Sequence, residues 1–462
     1  MKLSKNTISY IIFLSVFFIV FGLYLNFYTT PEKDVKDFKD IIKTQQLNVV
    51  ISTNFIDYFI YNAEPMGFYF EILNRFACDY ELKLVLYKES DHKIAFEMLN
   101  DETCDIFAAT SAFPKNICSG FSLSTPLRTT RKVLVQQKSN TSQKQTKLDF
   151  IKNYLDLLNK TAGILNFDVD FFALEEHFRN LSDSITVETA IKNIANKTLD
   201  YVICDYNLAR IFDSYYKNID IETNIGFEQD VCWITRKKST ELLETLNAWL
   251  IKFKETPEFF RLEQKYTANS RALLNINSEY YSGNKGRISE YDELLKKYSK
   301  LINWDWRLLS SLVYEESRFD PEAESYAGAF GLMQMMPATY ESVSNDTTWQ
   351  IEFQIEAGIR YIRIIDSFLP AEFDDTVSKI KLILAGYNIG FSHVEDAINL
   401  AIAHGKNPKS WDDVSYFLLN LSKPEYYNNP VVKYGSFSGN RAVRYANSIY
   451  DRFLHYRNLI PK

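Results

Sequence analysis

The sequence predicts a two-lobed α/β domain followed by an all-α domain, the pair carried behind an N-terminal membrane helix. Three observations predict this. An uncharged apolar run opens the chain. Short β-type runs then alternate with helical stripes as far as residue 268. Past residue 286 the β-type runs fade and helical stripes recur alone. Alternating strands and helices indicate a layered domain with a largely parallel sheet, whereas helical stripes alone indicate helix-on-helix packing.

Lys2 and Lys5 precede the apolar run, which extends from Ile8 to Tyr28. About 20 apolar residues in a helix cross a bilayer's hydrocarbon core. Basic residues ahead of the run place the remainder outside the cytoplasm. Residues 1–30 are therefore read as a signal anchor, with a cleaved signal peptide as the open alternative because it shares the same order of charge and apolarity. No Cys follows the run, so a lipoprotein anchor is not expected. Residues 31–45 are polar and charged and read as a short stalk.

The first domain is assigned to residues 46–268. Leu47–Ile51, Leu82–Tyr87 and Asp105–Ala109 read as strands, Gly67–Tyr80 and Ile94–Leu99 as helices. The alternation resumes with strands at Ala162–Leu165, Leu199–Cys204 and Val231–Thr235. Helices are expected at Val187–Asn196 and, as one long element, at Thr240–Tyr266. Two such lobes place a ligand cleft between them. Residues 269–286, rich in Asn, Ser and Gly, read as a linker. The all-α domain then occupies 287–462, with stripes at 289–300, 305–317, 337–343, 352–368, 377–388, 391–403 and 441–456.

Composition narrows the function. The 462 residues are 46% hydrophobic and 24% charged, which excludes a disordered chain and a multi-span membrane protein. The formal charge of -7 lacks the basic footprint of a nucleic-acid binder. Cys78, Cys104, Cys118, Cys204 and Cys232 are odd in number and include no CxxC, and the five His residues are scattered, so no metal site is expected. No cofactor is expected either.

Most of the chemistry lies between Trp306 and Pro321. Leu308, Leu309, Leu312 and Val313 form one helical stripe, and Glu316 falls near its centre. Glu315 falls off the stripe's edge, toward solvent. Burial raises a carboxyl pKa, and an acid that keeps its proton near neutral pH can protonate a leaving oxygen. A buried Glu can equally satisfy a neighbouring helix. Two further motifs bear on this choice: SYAGAFGLMQMMP from Ser325 to Pro337, and AGYNIG from Ala385 to Gly390.

In order and spacing these three segments resemble the soluble-lytic-transglycosylase family, whose fold is goose-lysozyme-like. The resemblance implies cleavage of the bond between N-acetylmuramic acid and N-acetylglucosamine in peptidoglycan. Glu316 would be the acid that protonates this bond, then the base on the muramyl C6 hydroxyl that closes a 1,6-anhydro ring. It further implies substrate contacts by Ser317, Met333, Gln334, Tyr387 and Asn388, with the Tyr387 hydroxyl bonded to Glu316. Ser317 alternatively ends its helix, Met333 packs in the core and Asn388 caps a helix. Tyr445, in GNRAVRY, resembles the family's closing segment and is taken as a cleft residue.

Leu47–Ala268 resembles the periplasmic solute-binding proteins of the polar amino-acid type. The resemblance rests on the opening strand, Gly67-Phe68 with Glu71, the strand at Asp105–Ala109, and Ser124–Leu127 followed by Arg131–Val135. It implies a muropeptide or amino-acid ligand held near Asp205 and Asn116. Asn116 stands where that family places a carboxylate-binding Arg. Asp205 stands at its amine-binding position, although capping the next helix is an equal reading. The order of the two domains resembles the membrane-bound lytic murein transglycosylases, which implies a location in the cell envelope on the periplasmic side. A non-catalytic envelope sensor and a lysozyme-type hydrolase remain the alternatives.

Overall fold

The computed structural model describes residues 35–462 apart from 55, 90, 110–111, 114–116, 139–149, 152–161, 165–177, 181–186, 269–277, 284–285, 345–347 and 374. The apolar run Ile8–Tyr28 and Asn116 lie outside the described residues. Among the described residues no helix is long and apolar enough to cross a membrane.

The first domain contains two five-stranded sheets of like topology. In the first, β4 (Lys83–Lys88), β1 (Gln46–Ile51) and β5 (Ile106–Ala108) run parallel. β14 (Ile234–Arg236) and β6 (Phe121–Leu123) complete it, with β14 antiparallel to both β5 and β6. In the second, β10 (Phe178–Asn180), β9 (Ala162–Ile164) and β11 (Tyr201–Asp205) run parallel. β8 (Lys132–Gln137) is antiparallel to β11, and β12 (Ile219–Asn224) is antiparallel to β8. The chain crosses between lobes twice. The two crossings pair as antiparallel strands, β7 (Arg128–Thr130) with β13 (Gln229–Val231). The sequence reading of one strand over Val231–Thr235 therefore divides into β13, which belongs to this hinge, and β14, which belongs to the first lobe.

Two other expectations change. Residues 38–44 are not a stalk but helix α1 (Phe38–Thr44), packed into the first domain with Ile41 fully buried. Asp37 caps α1 in a capping box and also accepts the backbone N–H groups of Glu241 and Leu242 at 3.1 and 2.9 Å. A polar segment with a single buried apolar residue shows little periodicity, so its docking was not readable. The expected helix Thr240–Tyr266 is two helices, Thr240–Lys254 and Pro257–Glu263, followed by a π turn. Pro257 cannot continue the first helix, and Thr256 caps the second by accepting the Phe259 N–H. The expected linker lies partly outside the described residues, but Tyr281 within it is buried and bridges Tyr61.

Beyond the linker the domain is helical. Its site-bearing elements are α9 (Trp306–Ser317), α11 (Ile351–Phe368), α12 (Thr376–Ile389) and α16 (Asn440–Leu459), taking helices in chain order. Trp411–Asn420 is a further helix that the sequence reading passed over; Ser410 caps it and Trp411, Val414, Phe417 and Leu418 are its buried face. The two domains share apolar packing. Trp306, Tyr314, Tyr456, Leu459 and Ile460 of the helical part belong to the same buried cluster as the first lobe. The Tyr58 hydroxyl and His455 Nδ1 share a 2.8 Å hydrogen bond across this boundary, and Tyr456 donates to the Ala63 carbonyl at 2.8 Å. Burial pushes His455 down to about 4, which keeps it neutral there.

The Asp37→Ala variant tests whether the residues before β1 are part of the domain. It removes a cap and two further accepted N–H bonds, and is expected to cost about 1–3 kcal/mol. The readout is a lower thermal midpoint than wild type. An unchanged midpoint would mean that α1 is not part of the cooperative unit.

Candidate active site

Helix α9 starts at Asp305, whose carboxylate accepts the Arg307 N–H at 3.0 Å, and ends at Arg318 in the left-handed region with φ of 55°. Its apolar stripe of Leu308, Leu309, Leu312 and Val313 is buried. The stripe places Glu316 on the side of α9 that meets α16. Tyr445 of α16 donates a hydrogen bond to Glu316 Oε1. Glu316 as a whole is half-buried. Loss of hydration pushes the Glu316 pKa up to about 7, and the negative Glu315 adds to the rise. The Tyr445 hydrogen bond and the positive Arg441 work against it.

Glu315 is not free in solvent as its place off the stripe suggested. Arg452 pairs with it at 2.7 Å and Ser448 donates to it at 3.2 Å, both from α16. Tyr445, Ser448 and Arg452 are spaced by three and four, so one face of α16 holds both carboxylates. The guanidinium of Arg452 also lies 4.6 Å from the centroid of the Tyr314 ring. Tyr314 in turn donates to Glu64 of β3 (Glu64–Met66) in the first domain. Arg318 pairs with the same Glu64 at 2.5 Å. The last turn of α9 is thus gripped by the helical domain on one side and by the first domain on the other.

Most of the remaining candidates in this domain bond to the backbone or pack in its core. The Tyr387 hydroxyl donates to the Met333 carbonyl at 2.8 Å, not to Glu316. The tyrosine bonded to Glu316 is Tyr445, so the hydroxyl role expected of one is held by the other. Ser317 donates to the carbonyls of Val313 and Leu332 at 3.2 and 3.0 Å, tying α9 to the segment Gly331–Met333. The Met333 side chain is buried against Gly358 of α11, where even a methyl group would sit 2.3 Å from its Cε. Its carbonyl, held by Tyr387, is what this residue adds to the site.

Gln334 adopts a φ of 45° and donates to the Ala323 and Gly331 carbonyls, which closes the segment from Ala323 to Met335 on itself. Gly331 has a φ of 81°, and Gln354 Oε1 would lie 2.3 Å from any Cβ there. Only glycine allows that approach, and Gln354 uses it to accept the Leu332 N–H at 2.7 Å. Asn388 sits one residue from the end of α12. Its Oδ1 is buried without a partner among the described residues. In the first domain Asp205 caps the helix Tyr206–Tyr215, accepting the Asn207 N–H at 2.9 Å, and accepts Thr130 Oγ1 at 2.6 Å.

Gln354, Arg452, Ser448 and Glu64 were missed. Gln354 is a polar residue on an otherwise apolar face of α11, a signal that was available. Glu64 gave none, because its partners lie 250 residues or more away in sequence. Among the described residues no cluster of His, Cys, Asp and Glu is arranged to hold a metal ion.

Comparison with known proteins identifies the parts. Residues 293–409 match the transglycosylase SLT domain, and residues 47–269 match the bacterial extracellular solute-binding proteins of family 3. The chain joins a family 3 solute-binding domain to an SLT domain. The membrane-bound lytic murein transglycosylase F of Desulfosudis oleivorans is 26% identical to it over 422 residues, covering 90% of this chain and 89% of that one. That of Shewanella woodyi is 27% identical over 386 residues, covering 83% and 79%. Holo ArgBP from T. maritima aligns with a TM-score of 0.40 and 19% identity, over 50% of this chain and 99% of that one.

In the SLT domain, Glu316 carries a stability signature. Its folded pKa stands above the ordinary value near 4.5, so ionising it in place costs free energy as pH rises through the interval from 4.5 to about 7. Glu316→Gln removes that cost. The variant should gain about 2–3 kcal/mol relative to wild type at pH 8 and little at pH 4. Thermal melts at the two pH values read this, and an equal offset at both would contradict it.

Proposed function

We propose that the chain is a peptidoglycan lytic transglycosylase, a lyase that cleaves the MurNAc–GlcNAc β-1,4 bond and leaves a 1,6-anhydroMurNAc end, with Glu316 as its acid and base. The observation that carries the assignment to Glu316 is a half-buried carboxyl at the end of an SLT-domain helix, hydrogen-bonded by Tyr445 and poised at about 7. A group poised there populates both protonation states at neutral pH, which suits donating a proton and then accepting one.

The steps follow from that poise. Protonated Glu316 delivers its proton to the bridging oxygen, which leaves as the 4-hydroxyl of N-acetylglucosamine. The positive charge that develops at muramyl C1 lies near the new carboxylate. That carboxylate then takes the proton of the muramyl C6 hydroxyl as its oxygen bonds to C1. The proton returns to Glu316, and no water is consumed. Two-carboxylate glycosidases keep a second ionised group free to act as nucleophile or to activate water. Here Glu315 is engaged by Arg452 and Ser448, which favours one-carboxylate chemistry.

Ser317, Met333, Gln334, Tyr387, Asn388 and Tyr445 are read as the cleft that receives the glycan. Ser317 and Gln334 act by holding its wall, and Tyr445 by orienting the acid. The solute-binding domain is read as a regulatory domain for a muropeptide or an amino acid. The run Ile8–Tyr28 is read as the membrane anchor that keeps both domains on the periplasmic side of the envelope.

Two measurements test this. Purified peptidoglycan is digested with the wild-type chain and with Glu316→Gln, and the products are weighed by mass spectrometry. Anhydromuropeptides, lighter by one water than hydrolysis products, are expected from wild type alone. Reducing-end products would mean a hydrolase, and no products from folded wild type would mean a binding protein. The second measurement is the pH dependence of kcat/KM. It should fall as pH rises through about 7, because the acid loses its proton. Tyr445→Phe removes a bond that favours ionised Glu316, so the falling limb should move to higher pH while kcat drops about 10- to 100-fold.

A further inference from the structure

The hairpin of β2 (Phe59–Tyr61) and β3 belongs to neither five-stranded sheet. Its turn, Asn62-Ala63, holds both residues at positive φ, 48° and 65°. Tight hairpin turns use that backbone and favour Asn and Gly for it. Ala63 carries a Cβ and resists it, and such a conformation persists only where the surroundings fix it. Here they do, from two sides. The Tyr456 hydroxyl of α16 donates to the Ala63 carbonyl at 2.8 Å. The Ile60 N–H donates to Ser282 Oγ and the Ile60 carbonyl accepts the Ser282 N–H, both at 3.0 Å, while the Asn62 N–H reaches the Tyr280 carbonyl at 3.3 Å. A turn pinned in this way fixes where the next residue, Glu64, projects.

Glu64 projects to the end of α9. Its Oε1 accepts from the Tyr314 hydroxyl and from Arg318 Nη1, and Arg318 also bonds to that hydroxyl. Tyr314 is buried, whereas Glu64 and Arg318 are partly open to solvent. An ion pair so exposed contributes little stability by itself. Its effect is geometric. Tyr314 and Arg318 are four apart and share one face of the helix. At about 100° per residue Glu316, midway between them, points to roughly the opposite side. The last turn of a helix lacks the bonds that hold its middle. Glu64 closes that turn from the first domain, while Tyr445 holds Glu316 from α16.

We propose that the hairpin Phe59–Met66 is a positioning element for Glu316, with Glu64 acting through Tyr314 and Arg318 to fix the last turn of α9. This rests on reading Glu316 as the acid. Glu64 touches no substrate, and its contribution does not depend on a ligand in the cleft of the first domain.

The test compares wild type, Glu64→Ala and Glu64→Gln as full chains in detergent, each with and without Glu316→Gln. On peptidoglycan, Glu64→Ala should lower kcat about 10- to 100-fold and leave KM within about 2-fold. Glu64→Gln keeps an acceptor for Tyr314 and should recover most of that loss. Asp37→Ala, which loosens the same domain at another helix, should leave kcat unchanged. A second readout needs no catalysis. The gain in melting temperature from Glu316→Gln at pH 8 over pH 4 reports how dry the carboxyl is. The groups facing it, Glu315 on α9, Tyr387 on α12, and Arg441 and Tyr445 on α16, are the same in every background. In Glu64→Ala a loosened turn lets water reach Glu316, so that gain should shrink by at least about half. Where Glu64→Ala melts too low to assay, Tyr314→Phe removes the same hydrogen bond, keeps the ring, and should give both results. An unchanged kcat, a loss carried by KM alone, or an undiminished Glu316→Gln gain would each overturn the proposal. Folded wild type that cleaves nothing would sink the proposed activity, and the gain at pH 8 would still decide this inference.

Discussion

The arrangement of the site depends on one constraint: a carboxyl group must sit at a helix end where water is scarce, yet stay oriented. Helix α16 meets it. Tyr445 bonds to Glu316, and one turn on, Ser448 and Arg452 take Glu315. Two adjacent carboxylates would otherwise repel each other and raise both pKa values. Pairing Glu315 with a guanidinium moderates that repulsion, so burial is the largest cause of the raised Glu316 pKa and the Glu315 charge adds to it. The same helix continues to His455, Tyr456 and Asn458, which bond to Tyr58, Ala63 and Leu86 of the first domain.

That continuity explains why the boundary between domains resembles a core. Tyr314 lies in α9 two residues before Glu316, and it is buried in the cluster of the first lobe. Its hydroxyl donates to Glu64, and the guanidinium groups of Arg318 and Arg452 lie 4.4 and 4.6 Å from its ring centroid. Interfaces between independently moving domains are usually more polar than this. Here the first domain completes the packing around the last turn of α9. A change that moved β3 would be felt first at Glu64, and then at the turn that aims the acid.

Much of this was legible in the sequence, and what was hidden has a physical reason. The division into an α/β part and a helical part follows from period-2 and period-3.6 patterning. So does the inward direction of Glu316, because Leu308, Leu312 and Glu316 share one side of a helix. Motif spacing singled out Met333, Gln334 and Tyr387, and the Tyr387 hydroxyl bonds to the Met333 carbonyl. Spacing did not say which of their atoms would be engaged. Met333 presents its carbonyl while its side chain fills the gap over Gly358, and Ser317 turns to the backbone of Leu332. Tyr387 and Tyr445 both approach the acid, and the choice between them depends on rotamers and on the crossing of α12 and α16, which a one-dimensional pattern does not encode. Glu64, Arg452 and Asp37 act across long sequence separations, where patterning is silent. The break at Pro257 was the opposite case, a local signal overridden by the length of the apolar stripe.

Glu316 and Arg128 meet a similar problem with opposite outcomes. In each, charge is held out of water, and each anchors its charged group with a partner from another element. At Glu316 the nearest polar partner is a neutral hydroxyl, so the cost of burial is relieved by protonation and appears as a raised pKa. At Arg128 protonation gives no relief, because a guanidinium keeps its charge. The cost there is met by a fixed counter-ion, Asp57, and by aromatic faces. A group that can give up its charge suits proton transfer. One that cannot suits holding an anion. On this basis Glu316 is a group able to exchange a proton near neutral pH, whereas Arg128 is a permanent positive charge held in place by its counter-ion.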